Sequence, residues 1–335
     1  MLELTSPICV AGLSFRNRIV MPPMVRMSPL MPPEVVGVDG SVTPAVVEHY
    51  RLRAAAGTSL IIVEATCVDP TGRAWCNGLN LTDDTHIEGM ARIAEAISAE
   101  GCVPGIQLVH GGPQCDPAAC GGVTFGPSRV APSKSAQRPR AVTLDEISAI
   151  TDRFTAAARR SVAAGYRLLD VHGAHGYLLD SFLSPVRNTR DDEYGGTPEN
   201  RRRFMCDVVR RMAMEAGDAA LTACRISLFN KLADGFTPAD LLDLAAALVQ
   251  SGAQVIDLST DGALKPLPGS DQTLGQALRA HVRAPVILAG ELQDPQNAQA
   301  ALAGGHADFV AVGRGMLWDA AWASTAASSV TPSQD

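Results

Sequence analysis

The chain has only three lysines, Lys134, Lys231 and Lys265, and none follows a glycine. That excludes the phosphate loop of nucleotide hydrolases, whose lysine must follow a glycine-rich turn. No Gly-x-Gly-x-x-Gly follows a strand-like run, so a nicotinamide-binding Rossmann site is not expected. The eight cysteines contain no Cys-x-x-Cys, and the closest two, Cys115 and Cys120, are a weak metal signal. A chain of 335 residues needs no disulfide framework. All eight are expected as reduced thiols in a cytoplasmic protein, mostly filling the core. An excess of basic charge is also lacking: 28 Lys and Arg against 35 Asp and Glu leave a net charge of −7. This argues against nucleic acid and anionic membrane surfaces as partners. The one basic run, Arg201-Arg202-Arg203, is short and reads as a solvated helix face. No apolar run has the length of a membrane span. The start of the chain carries Glu3 and no basic segment before an apolar block, so no signal peptide is expected.

What is present is a globular balance of 46% hydrophobic and 19% charged residues. Eight short, nearly continuous apolar runs recur: Arg18–Met21, Leu60–Glu64, Gly105–Leu108, Leu168–Val171, Leu221–Ser227, Val255–Leu258, Pro285–Ala289 and Phe309–Val312. Such runs fit parallel strands covered on both faces. Helical patterns separate them. Thr143 and Glu146 form a capping-box pair, with Ile147, Ile150 and Phe154 at helical spacing behind them and Gly165 at the end. Thr237-Pro238 and Asp294-Pro295 open two more helices, and Ile87, Met90, Ile93 and Ile97 form an apolar stripe. Eight strand–helix units predict a single closed (β/α)8 TIM barrel over residues 1–335, with 325–335 expected as a flexible tail. A doubly wound sheet is the alternative, but the glycine fingerprint after its first strand is missing. Two long irregular insertions are predicted, His110–Arg140 after strand three and Ser181–Asn200 after strand four. Loops this long in a compact domain are usually functional.

In a barrel the reactive groups come from the C-terminal strand ends. Strand one ends in Pro22-Pro23-Met24-Val25, strand two in Glu64-Ala65-Thr66, and strand three carries Gln107 and His110. Strand four ends in His172, followed by His175 and Tyr177; strand five carries Arg225. Strand seven ends in Ala289-Gly290 and strand eight in Gly313-Arg314-Gly315. Glycines after strands seven and eight, with Arg314, match the usual phosphate position of the fold. His172, His175 and Tyr177 admit three readings: contacts to a substrate oxygen, a metal site with Asp170 or Asp180, or buried structural histidines. Arg225 on a buried strand requires an anionic partner. Either a structural carboxylate or a ring that becomes anionic, such as a flavin on reduction, would serve.

Together these residues resemble the old yellow enzyme family of FMN-dependent ene-reductases. The resemblance runs from about Leu4 to Trp318. It is carried by Arg16 through Met24, by Gly105-Ile106-Gln107-Leu108, and by His172 through Pro185. It continues through Asn188-Thr189-Arg190-Asp191-Asp192-Glu193-Tyr194-Gly195-Gly196 and Asn200 through Phe204.

The resemblance implies FMN at the barrel mouth and NADPH or NADH as a transient reductant. Pro23, Met24, Val25 and Ala65 would surround the flavin, Gln107 would bond its pyrimidine edge, and Arg225 would stabilise the anionic reduced form near N1. Gly290, Gly313 and Arg314 would hold the phosphate. His172, also at the flavin, and His175 would bind a carbonyl or nitro oxygen of an activated alkene. Tyr177 would donate a proton, after hydride has passed through flavin N5 in a ping-pong cycle. Met27, Trp75 and Phe229 would wall the substrate pocket. Redox-neutral double-bond isomerisation on the same barrel is the alternative chemistry, and a Schiff-base aldolase using Lys231 ranks lower. Departures from the family pattern are expected to matter. Val25 cannot donate to flavin O4 as a Cys or Thr there would, which implies a somewhat lower potential. His110-Gly111-Gly112-Pro113 lacks the arginine usual after strand three. The resemblance leaves room for a homodimer, although the tail beyond Arg314 has no arginine to offer a partner's site.

Overall fold

The computed structural model describes residues 2–25, 37, 39–132, 137–228 and 232–329. Eight strands close a barrel: β1 (Ile19–Met21), β2 (Leu60–Cys67), β3 (Val103–Val109), β4 (Leu168–Gly173), β5 (Leu221–Ser227), β6 (Val255–Ser259), β7 (Val286–Ala289) and β8 (Phe309–Ala311). Every neighbouring pair is parallel, and β8 pairs with β1 to complete the ring. The strands are buried on both faces because helices cover the outside, which is why their sequences run apolar without alternation. An antiparallel hairpin, Ile8–Val10 with Leu13–Phe15, precedes the barrel. Phe15 packs edge-on against Phe309 at 5.1 Å, so this hairpin plugs one end.

Side chains along a strand alternate in direction. The inward set is apolar near the plug: Val20, Leu60, Ile62, Leu168, Leu221, Ala223, Val255 and Ile287 form one interior cluster. Two residues further along the same faces the set turns polar, with Gln107, Asp170, His172, Arg225, Ser227, Asp257 and Ser259, all buried. The barrel is therefore a greasy cylinder with a polar upper layer at its C-terminal end. β2 has a register shift between Val63 and Thr66, which lets it continue past Glu64 and carries Ala65 into this upper region.

The predicted helix starts occur as expected. Thr143 and Glu146 make a reciprocal capping box on the helix Leu144–Ala163, and Thr237 does the same with Asp240 on Pro238–Gln250. Trp322–Ser329 is helical and buries Ala326, so the expected tail begins within a helix; residues 330–335 lie outside the described residues. The second insertion is also less irregular than its composition suggests. Leu178–Leu183 forms a fully buried helix, and a new helix starts at Pro198. Arg190 ties the two insertions together, donating to the Pro127 carbonyl at 3.1 Å and the Val142 carbonyl at 2.7 Å. No helix among the described residues is long and apolar enough to cross a membrane. All eight cysteines are unpaired, and Cys9 and Cys76 are the exposed ones.

Candidate active site

Three rings gather just past the end of β4. The His172 ring is 4.8 Å from that of Tyr177 and 5.2 Å from that of His175, centroid to centroid, all edge-on. Trp75 closes against Tyr177 at 5.8 Å, so the loop after β2 reaches the same place. His172 belongs to β4 and is buried; His175 and Tyr177 follow in the turn and remain partly open.

His175 is held in a left-handed backbone conformation, φ 62°, unusual for a residue with a side chain. Its surroundings explain how it stays there. Its N–H donates to Ser227 Oγ at 3.3 Å, the Gln114 amide donates to its carbonyl, and its Nε2 meets Ser259 Oγ at 3.2 Å. Ser259 also accepts from Arg225 Nη2 at 3.2 Å, and Arg225 Nη1 donates to Asp257 Oδ2 at 3.2 Å. A buried chain thus runs Asp257–Arg225–Ser259–His175. Beside it, Gln107 Nε2 donates to Asp170 Oδ2 at 2.7 Å across the β3–β4 register.

Burial sets the charges. It holds His172 well below the usual imidazole range, helped by His175 and Arg225, so this ring is neutral at physiological pH. Burial, then the neighbouring Cys115, pushes the Tyr177 phenol up to about 12, which keeps its proton on. Burial and the Asp257 charge push the Asp170 carboxyl well up. Asp257 is also raised by burial, but the guanidinium beside it opposes that shift.

A cleft of about 740 Å3, counting its open mouth, runs from Arg225 past Met24 and Ser259 to Gly290, Gly313 and Arg314. It joins the guanidinium on β5 to the glycine turns after β7 and β8. Gly290 has φ 149°, and a Cβ there would lie 2.3 Å from Thr260 Oγ1, so bare backbone is obligatory at that turn. A Cβ on Gly313 would stand 2.8 Å from the Met24 sulfur. Arg314 is exposed at the cleft's far end.

The predicted site residues therefore largely converge. Met24, Arg225, Gly290, Gly313 and Arg314 line one cleft, with Pro22 rather than Pro23 beside Met24. Pro23 and Val25 flank it on the partly buried segment after β1. Ala65 and Gln107 are buried on β2 and β3 at the same end of the barrel. Met27 and Phe229 lie outside the described residues, as does Lys231. The metal reading of the two histidines finds no support: among the described residues no three His, Cys, Asp or Glu side chains converge as a ligand set. Arg225 does have the structural carboxylate, Asp257. Strand six offered no candidate in sequence, yet it supplies both Asp257 and Ser259. The signal was available: in Val255-Ile256-Asp257-Leu258-Ser259 the polar residues alternate onto one face.

Residues 3–332 match the family model described as the NADH:flavin oxidoreductase / NADH oxidase family. The chain belongs to that family, the family of old yellow enzyme. It is 34% identical over 333 residues to an NADPH dehydrogenase of Bacillus subtilis, covering 98% of this chain and 95% of the relative. It is 35% identical to an NADH oxidase of Thermoanaerobacter brockii, over 93% of this chain and 49% of that protein. Among solved structures, the old yellow enzyme homologue of Zymomonas mobilis superposes with a TM-score of 0.83 at 29% identity, covering 95% and 90% of the two chains. Morphinone reductase in complex with tetrahydroNAD superposes at 0.80 with 27% identity, covering 95% and 88%. The chain is accordingly an FMN-dependent NAD(P)H oxidoreductase. Its own residues fit FMN. Two buried polar atoms of the upper layer, His172 Nδ1 and Arg225 Nε, have no hydrogen-bond partner among the described residues. The turns at the cleft's other end present backbone without side chains.

Proposed function

We propose that this oxidoreductase reduces the C=C bond of alkenes activated by a carbonyl or nitro group, at the expense of NADPH or NADH. The observation that carries this reading is the ring cluster beside an arginine-ended cleft: His172 neutral and with Nδ1 free of partners among the described residues, His175 clamped next to it, and a protonated phenol 4.8 Å away. FMN, when bound in the cleft, would supply the hydride chemistry between the nicotinamide and the β-carbon of the alkene. Negative charge then grows on the carbonyl or nitro oxygen, where His172 and His175 hold it with hydrogen bonds. Tyr177 delivers its proton to the α-carbon. Gly290, Gly313 and Arg314 would hold the phosphate, while Pro23, Met24, Val25, Ala65, Gln107 and Arg225 would surround the ring system. Trp75 shapes the substrate's side.

The direct test is anaerobic turnover of the holoenzyme with NADPH and a cyclohexenone-type or nitroalkene acceptor. A saturated product supports the reading; a product with only a shifted double bond favours isomerisation, and no product rejects both. His172→Ala is expected to weaken binding of phenol-like ligands at least ~10-fold, since a charge-assisted hydrogen bond to the phenolate is lost. Titration of the flavin absorbance reads it, and unchanged affinity removes His172 from the oxygen site. Gly290→Ala is expected to lower the FMN content of purified protein and to cost about 1–3 kcal/mol of stability, because φ 149° suits glycine and the methyl meets Thr260. A variant with full FMN content and an unshifted melting point would show that this turn tolerates a side chain.

A further inference from the structure

Arg225 does not stand alone at the cleft. β5 and β6 pair so that Asp257 lies directly opposite Arg225, and Asp257 is fully buried. Its Oδ2 accepts from Arg225 Nη1 at 3.2 Å, while its Oδ1 has no partner among the described residues. Asp170 is opposite Gln107 on the other side and is fully buried as well. One guanidinium and two carboxyls thus share a buried layer. At such short range in a poorly screened interior, the sign of each charge is felt strongly by anything bound above.

We propose that Asp257 is a positioning residue for FMN that holds the Arg225 guanidinium at the cleft and offsets part of its charge, lowering the potential of the bound flavin. The inference rests on Arg225 facing the flavin ring, as proposed above. A buried ion pair of this kind does little for stability compared with an apolar pair of the same volume. Its effect falls instead on the ligand. With the Asp257 carboxyl 3.2 Å from its guanidinium, Arg225 offers the reduced, anionic flavin less than an unopposed cation would. The geometry also fixes direction: Asp257 takes Nη1 and Ser259 takes Nη2, leaving Nε without a partner among the described residues. The guanidinium cannot rotate without breaking one of these bonds.

The test compares the dissociation constants of oxidised and reduced FMN in wild type and in Asp257→Asn, which keeps the shape and a hydrogen-bond acceptor but removes the charge. Preference for reduced FMN is expected to rise about tenfold, equivalent to about 30 mV in the two-electron potential. Asp257→Ser, smaller and still able to accept a hydrogen bond, serves if the amide does not fold, with the same shift expected. Asp257→Glu, which retains the charge, should stay within about twofold of wild type, a change worth well under the tenfold step. An Asp257→Asn preference within twofold of wild type overturns the proposal. Arg225→Gln, which removes the cation, measured in parallel, shows where the failure lies. If it moves the preference while Asp257→Asn does not, the role of Asp257 is wrong. If neither moves it, Arg225 does not face the flavin. Neither readout requires alkene turnover, so failure of the ene-reductase reading is seen separately.

Discussion

Tyr177→Phe is expected to slow alkene reduction about 10²–10⁴-fold while leaving reduction of the enzyme by NADPH within about twofold. The substitution removes one oxygen and keeps the ring. The edge-on contacts with His172 at 4.8 Å and Trp75 at 5.8 Å survive, so the pocket wall stays in place. What is lost is a proton held at about 12 by burial and delivered when the α-carbon becomes basic. Nicotinamide oxidation needs no proton from this position, so the two half-reactions should separate. Stopped-flow measurement of each half-reaction, with NADPH and with a cyclohexenone-type acceptor, reads them independently. Equal slowing of both would mean that Tyr177 only shapes the pocket, and the proton would have to come from solvent or another group.

Much of this site can be read from the chain because the barrel imposes a simple rule. Strands buried on both faces are apolar throughout, so any polar residue within them is conspicuous. Gln107, His172 and Arg225 stand out in this way, and all three are in the buried upper layer. The eight apolar runs coincide with the eight barrel strands to within a few residues. β2 departs most, because the register shift near Ala65 carries it to Cys67. Asp257 and Ser259 were less visible, since no strand-end motif draws attention to β6 and their importance lies in a cross-strand register. That register places Asp257 against Arg225 and Ser259 against Ser227. The alternation marks one face of β6, but it does not say which residue of a distant segment that face meets. The stretch Asn188 to Gly196 shows the opposite. It carries much of the family resemblance, yet its polar side chains mainly build the loop: Asn188 Nδ2 donates to the Phe182 and Tyr194 carbonyls, and Arg190 binds the insertion after β3. A distinctive sequence motif can mark scaffolding as readily as chemistry.

The second large effect concerns Arg225 itself. Arg225→Met should destabilise the apoprotein by about 3–5 kcal/mol, because it leaves Asp257 as a buried, uncompensated carboxylate. The carboxylate can escape that cost only by binding a proton, and burial already pushes it in that direction. The loss should therefore shrink as pH falls, since protonation removes the charge that the missing guanidinium no longer balances. Urea midpoints of the apoprotein between pH 5 and 8 measure this without involving FMN. Arg225→Met combined with Asp257→Leu should recover most of the stability, as an apolar pair of similar volume replaces the ion pair. FMN affinity should recover in neither variant, because both lack the cation at the cleft. A double variant as unstable as the single one would mean that packing around β5 and β6, and not charge, limits this layer. A double variant that regains FMN would remove Arg225 from the cofactor site. Stability and cofactor binding thus draw on the same guanidinium through different neighbours: Asp257 within the strand layer, and the cleft above it.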